Sequence, residues 1–303
     1  MRAPSNPTYT NPNFPLGYQD SGADIAYALQ SQSQISALTP IPSPSPADSA
    51  GWTFPDAEAG IVSALKAGAT HLWANTILFS SHPLQTSPLI AKHQNAVHVI
   101  GQPQNMVEQF DDKDYVNNFL RSQKTFTLPR GWTIHNSENL SSQITELSLL
   151  YPVVAKPIRG RGSHGVKVCH SQSELLSHIW SLFAESPTIM IEEYLSGEEA
   201  AVTVMSPSSS RPNYWALPIV TRFNHQFGIA PYNGVVAVTA NSRVISSEEY
   251  AADARYGVAA RECEAVAKLL KVTAPIRIDI RRFSNQPDSK FALFDVNMKP
   301  VSI

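Results

Sequence analysis

An α/β architecture built as separate lobes is predicted by three features of the chain. Short apolar runs alternate with stretches of helical period, glycine-bearing turns follow several of the runs, and two apolar runs near the C-terminus flank a polar turn as a hairpin would. The 303 residues suffice for two or three domains, each with its own core.

Residues 1–50 are poor in charge and rich in Pro, Ser, Gln and Asn, and Pro40 to Pro46 holds four prolines. A loose lead is expected there, with a short helix from Ala23 to Leu29. Ile61, Val62 and Leu65 recur at helical spacing within Asp56 to Ala67, and Gly68 stops the run. His71 to Phe79 and Val97 to Ile100 read as strands, Asn105 to Arg121 as one helix, and Pro129 to Trp132 as a boundary. Tyr151 to Lys156 and Val166 to Cys169 read as strands around a glycine-rich turn. A helix from Glu174 to Phe183, capped by Ser173, and strands Thr188 to Glu193 and Ala200 to Met205 follow. Trp215 to Phe223 and Val235 to Thr239 are expected as strands and Ser247 to Leu270 as one helix, with Glu248 and Glu249 placed where its dipole favours them. Ile276 to Ile280 and Phe291 to Val296 close the hairpin.

Composition excludes several classes of function. Apolar residues make up 43% of the chain and the formal charge is −2, so a polyanionic partner such as nucleic acid is not expected. No apolar stretch approaches the roughly 20 residues of a membrane span, and the N-terminus lacks a signal-like apolar run. Cys169 and Cys263 have neither disulfide-framework nor metal-ligand spacing. A soluble, cytoplasmic protein is expected.

Three segments carry chemistry. Lys156 opens the turn Gly160 to Gly165, whose glycines let backbone amides approach phosphate oxygens while the lysine supplies a compact positive charge. It is not a P-loop, since no Gly-Lys-Ser/Thr follows, and taken alone it reads equally as a surface hairpin. Asp295 and Asn297 share one strand face, as do Arg277 and Asp279. Hard oxygen ligands suit Mg2+, and an arginine can neutralise charge that develops during phosphoryl transfer. A surface Arg–Asp pair beside turn-forming residues is the plain alternative. Glu192 to Glu199 can offer backbone groups to a base and a carboxylate to ribose hydroxyls, or form a solvated acidic hairpin.

The order of Gly101-Gln102-Pro103, Asp111-Asp112-Lys113, Lys156-Pro157 to Gly165, Glu192 to Glu199, Arg277-Ile278-Asp279 and Asp295-Val296-Asn297 resembles the ATP-grasp superfamily, in its D-alanine–D-alanine ligase-like branch. The similarity runs from about Asp56 to Pro300. It implies a lead over 1–50, an N-terminal α/β pre-ATP-grasp domain over 51–130, a small ATP-grasp lobe over 131–205 and a C-terminal lobe over 206–303. By the same resemblance Lys113 and Lys156 contact phosphates, and Ser163 and His164 cover them through backbone amides. Glu192, Glu193 and Leu195 meet the adenine, and Glu199 takes the ribose. Arg277 stabilises the transferred phosphate, while Asp279, Asp295 and Asn297 hold two Mg2+ ions, for which Mn2+ can substitute. Asp295 stands where glutamate is commoner.

The implied activity is an ATP-dependent ligase that joins a small-molecule carboxylate to an amine through an acylphosphate. A Mg-ATP-binding module without ligase activity and a phosphotransferase are the alternatives, and a homodimer is left open. Two departures bear on substrate choice. The family pattern continues past the asparagine into a proline-glycine turn and closing helices, whereas Asn297 is followed by Met298 to Ile303, so an incomplete acceptor wall is expected. The first-substrate loop has no counterpart in residues 1–55, and Asn75 and His82 are the substitute candidates, with structural turn or strand-end roles as their plain alternative.

Overall fold

The structure is a computed structural model that describes residues 17–32, 34–74, 76, 78–160, 162–230 and 238–298. These residues form two compact units divided between Glu108 and Gln109, upstream of the boundary expected at 130. Asn75 lies outside the described residues, as do Arg161, 231–237 and 299–303. No helix of the described residues is long and apolar enough to cross a membrane.

In the first unit the lead holds more order than its composition suggests: α1 runs over Gly17–Gln30. The Pro-rich stretch after it is pinned where the Trp52 indole N–H donates to the carbonyls of Ser45 and Asp48, each at 3.0 Å. Next comes α2 (Glu58–Lys66), whose Ile61, Ala64 and Leu65 bury one face and which stops at Gly68, held at φ +91°. The parallel strands β1 (His71–Trp73) and β2 (His98–Ile100) enclose the short helices α3 (Pro83–Thr86) and α4 (Pro88–Ala91). β1 ends at Trp73, well short of Phe79, while Ala74 and Leu78 still bury into the core with Leu72 and Ile90. α5 (Gln104–Phe110) crosses the division.

A buried polar knot ties this core. Asp56 accepts from the Thr76 hydroxyl at 2.6 Å and pairs with His82 Nε2 at 2.9 Å. The Leu84 amide donates to His82 Nδ1 at 3.1 Å, which leaves the ring proton on Nε2, facing Asp56. His82 is therefore the N-cap of α3, a structural turn role and not a strand-end one. Asp56→Ala strands two buried donors and is expected to destabilise the first unit by about 3 kcal/mol, read as a lower urea midpoint at unchanged slope.

The second unit opens on α6 (Lys113–Ser122). Asp112 accepts the Tyr115 amide and starts a new helix, so the single helix expected over Asn105–Arg121 is broken into α5 and α6. Strands β3 (Gly131–His135), β4 (Val153–Pro157), β5 (Lys167–Cys169) and β6 (Thr188–Glu193) form an antiparallel sheet in the order β3-β6-β4-β5. It packs on α7 (Leu140–Glu146) and α8 (Gln172–Leu182) through Ile144, Leu175, Ile179 and Ile191. The cap of α8 is Ser171 and not Ser173: its hydroxyl accepts the Glu174 amide at 3.3 Å.

β7 (Glu199–Met205) joins the larger sheet, not the one that covers residues 131–193. The larger sheet's order is β10-β9-β7-β11-β12, with β8 beside β7. The strand expected over Trp215–Phe223 divides into β8 (Trp215–Ala216) and β9 (Val220–Arg222) around Pro218, which has no amide for the ladder. Val238 and Thr239 belong to α9 (Val238–Asn241), not to a strand, and β10 (Ser242–Val244) follows. Asp253 splits the helix expected over Ser247–Leu270 into α10 (Ser247–Ala252) and α11 (Ala254–Leu269) by capping the Arg255 amide. β11 (Ile276–Arg282) and β12 (Phe291–Asn297) complete the sheet, and α11 and α6 bury Val116, Leu120, Cys263 and Val266 against it.

Asp253 also sets an acid limit. Burial pushes its carboxyl up, but the Arg255 amide, Arg255 and Arg282 outweigh that and hold it at about 2, against an ordinary 3.8. A depressed folded value means stability that is complete above pH ~4 and is lost as pH falls toward 2. The urea midpoint of the second unit is expected to be flat near neutrality and to fall across that window, less steeply in Asp253→Asn.

Candidate functional site

Strand periodicity and register build the site's centre. In the β11–β12 ladder Arg277 lies opposite Asn297 and Asp279 opposite Asp295, so all four side chains emerge on one face. Between Asp279 and Ile280 the register shifts, and Phe294 is left without an opposite residue. This β-bulge frees the Phe294 carbonyl from the ladder. Lys156 Nζ donates to that oxygen at 3.3 Å and Asn117 Nδ2 at 3.4 Å, which joins β4 and α6 to β12 at one point. The Lys156 ammonium also lies 5.6 Å from the centre of the Phe294 ring.

Around this junction the charges are paired. Lys156 and Glu192, on adjacent strands and with side chains only 6% and 4% exposed, form an ion pair at 2.5 Å. The other Glu192 oxygen accepts from Asn117 at 3.0 Å and lies 3.5 Å from Arg121. Lys113, at the first turn of α6, reaches Asp295 Oδ1 at 3.2 Å and the Gly160 carbonyl at 3.3 Å, so the glycine turn is tied to the same cluster. Asp279 receives both prongs of the Arg277 guanidinium, at 2.8 and 3.0 Å, and the Asn297 amide at 3.3 Å.

The electrostatics follow. The Asp279 charge raises the Arg277 pKa above its ordinary value despite burial. Burial pushes the Asp295 carboxyl up, but Lys113, Lys156 and Arg277 together hold it below the usual carboxylate range. Burial lowers Arg121, with Glu192 and Asp114 opposing. Asp295 Oδ1 is shut off from solvent and, although Lys113 Nζ is close, it receives no well-directed hydrogen bond. A buried, anionic oxygen in that condition, beside Asp279 and Asn297, is a donor set suited to a hard divalent cation. No group of three His, Cys, Asp or Glu that could hold a metal occurs among the described residues, so any such ion would rest on two carboxylates and an amide.

The structure thus brings together Lys113, Lys156, Glu192 and Asp295, with Arg277, Asp279 and Asn297 on the adjoining face. Five other candidates have separate surroundings. Glu193 pairs with Arg130 at 3.5 Å, Leu195 is buried, and Ser163, at φ 59°, points its hydroxyl to the Ala230 carbonyl at 3.5 Å. His164 pairs with Glu185 in the open. Glu199 is buried among His225 at 2.9 Å, Arg281 at 3.5 Å and Arg222 at 3.9 Å. Arg281 fixes that corner by donating to the carbonyls of Gly197 and Gly228 and to the Tyr194 hydroxyl.

Asn117, Arg121 and the Phe294 carbonyl were not anticipated. Asn117 has a readable signal, since it lies one helical turn after Lys113 and on the same face. The Phe294 oxygen has none, because a bulge is set by the register in which β11 pairs with β12 and not by any one side chain.

Residues 122–300 match the model of the family described as D-ala D-ala ligase C-terminus. A curated relative, D-alanine–D-alanine ligase A of Bacillus cereus, is 29% identical over 123 residues, which cover 40% of this chain and 37% of the relative. The chain therefore matches little more than a third of that relative's length. Among solved structures, the D-alanine–D-alanine ligase of Bacillus anthracis complexed with ATP aligns over 80% of this chain and 71% of its own, with a TM-score of 0.55 and 17% identity. D-alanyl-alanine synthetase A of Vibrio cholerae aligns over 76% and 67%, with a TM-score of 0.58 and 11% identity. The VanG D-Ala:D-Ser ligase of Enterococcus faecalis aligns over 70% and 57%, with 0.53 and 19%. The fold is shared with these structures, and the family match covers more than half of the chain: it belongs to the D-alanine–D-alanine ligase-like branch of the ATP-grasp superfamily.

Proposed function

We propose that this chain is an ATP-dependent carboxylate–amine ligase whose nucleotide site is the Lys113–Lys156–Glu192–Asp295 cluster with Arg277, Asp279 and Asn297. The observation that carries the reading is the convergence of two lysines from different elements on β12, where the oxygen donors also stand. In this reading ATP draws Lys113 and Lys156 from their carboxylate partners to its phosphate oxygens, and the glycine turn that Lys113 holds covers them. Glu192, Glu193 and Leu195 meet the base and Glu199 the ribose. Asp279, Asp295 and Asn297 hold Mg2+, which when bound offsets phosphate charge.

The chemistry needs no protein nucleophile. A substrate carboxylate oxygen attacks the γ-phosphorus and ADP leaves, which gives an acylphosphate. An amine then attacks the acyl carbon, inorganic phosphate leaves, and the ammonium proton passes to solvent. Arg277 contributes by stabilising charge on the transferring group, and the residues act mainly by positioning. Purified protein with Mg-ATP is expected to form ADP, phosphate and an amide only when a carboxylate and an amine are both supplied, as read by product mass. ADP with a phosphorylated acceptor and no amide would assign a phosphotransferase instead. Tight Mg-ATP binding without turnover across a broad panel would assign a binding module.

A further inference from the structure

The two-stranded parallel sheet of the first unit sets β1 and β2 in register, with His71 directly opposite His98 and Trp73 opposite Ile100. Because successive side chains alternate, Leu72 and Val99 turn inward to the core while these two pairs face outward. Both imidazoles are exposed, and their ring centres are 5.3 Å apart with planes inclined by 37°. Two imidazoles that share one tetrahedral ion at about 2.0–2.1 Å per nitrogen have ring centres roughly 5 Å apart. The rings already stand at that spacing.

A neighbouring hydroxyl strengthens the case. Thr70 Oγ1 lies 3.0 Å from His71 Nδ1. When the Nδ1 proton is donated to that oxygen, the lone pair is left on Nε2, which is how an outer partner fixes the tautomer of a metal-binding histidine. Neither histidine contributes to the buried Asp56–His82 knot, and neither belongs to the unit that carries the nucleotide-class cluster.

We propose that His71 and His98 form a two-histidine site for a divalent transition-metal ion, Zn2+ first, with water completing the coordination shell. Two neutral nitrogen donors favour Zn2+, Ni2+ or Cu2+ over Mg2+ and Ca2+, which require oxygen ligands. The site is thereby distinct in kind from the oxygen set at Asp295.

The test is calorimetric titration of the 303-residue chain with ZnCl2, without nucleotide. His71→Ala and His98→Ala are each expected to weaken one binding event at least about tenfold, and the double variant to abolish it. Thr70→Ala should weaken it by about tenfold. His135, also exposed and 3.2 Å from a threonine hydroxyl but without a facing histidine, supplies the control: His135→Ala should leave binding unchanged. The unaltered protein offers a second measurement, in which Zn2+ shifts the imidazole resonances of His71 and His98 together at one midpoint. A double variant that titrates like the unaltered protein, an equal loss in His135→Ala, or resonances of the two rings that move independently would overturn the proposal.

Discussion

Lys156→Met is expected to lower the unfolding free energy of the second unit by about 3 kcal/mol and to remove nucleotide binding as well. Loss of one partner from a buried ion pair leaves the other charge uncompensated, which costs more than the pair contributes. Glu192 would retain Asn117 and the more distant Arg121, so the effect should lie near the low end of the usual range for broken buried pairs. Removing both charges separates structure from function. Lys156→Met/Glu192→Leu should recover most of the stability, since an apolar pair of similar volume is often as stable, and should still fail to bind ATP. Urea unfolding and nucleotide titration read the two effects independently. A double variant as unstable as the single one would contradict the account of the pair, and one that bound ATP normally would contradict the role of Lys156.

The second large effect is expected on β12. Asp295→Ala/Asn297→Ala removes two of the three oxygen donors assigned to Mg2+, and Mg-dependent ATP turnover should fall by a factor on the order of 10² to 10³. The fold should survive, because Asp295 is only partly buried and Lys113 keeps its bond to the Gly160 carbonyl. ADP release measured across a Mg2+ series distinguishes a weakened metal requirement from a lost chemical step. Full activity in the double variant would remove this strand end from the reaction.

How much of this was legible depended on the range of the interaction concerned. The two-residue period placed Asp295 with Asn297 and Arg277 with Asp279 on shared faces, because that relation is local to each strand. That the two pairs meet across a ladder was suggested by the hairpin turn between them. The ion pair between Lys156 and Glu192 was not legible, since it depends on β4 and β6 being neighbours across an intervening strand and helix. The two helices expected as continuous broke for one cause: Asp112 and Asp253 sit inside apolar-periodic runs, and each side chain takes a backbone amide that a continuous helix would have used differently. Sheet membership of β7 was also hidden, because its sequence reads as a plain buried strand whichever sheet receives it.

The oxygen of Phe294 receives Lys156 and Asn117, yet any amino acid would present the same backbone atom. Substitution at this position can therefore alter the ring beneath the ammonium while sparing the latch itself. Deleting one residue from β12 would do the reverse, restoring an unbroken ladder and withdrawing the acceptor. At this point of the chain, spelling is tolerant and length is not.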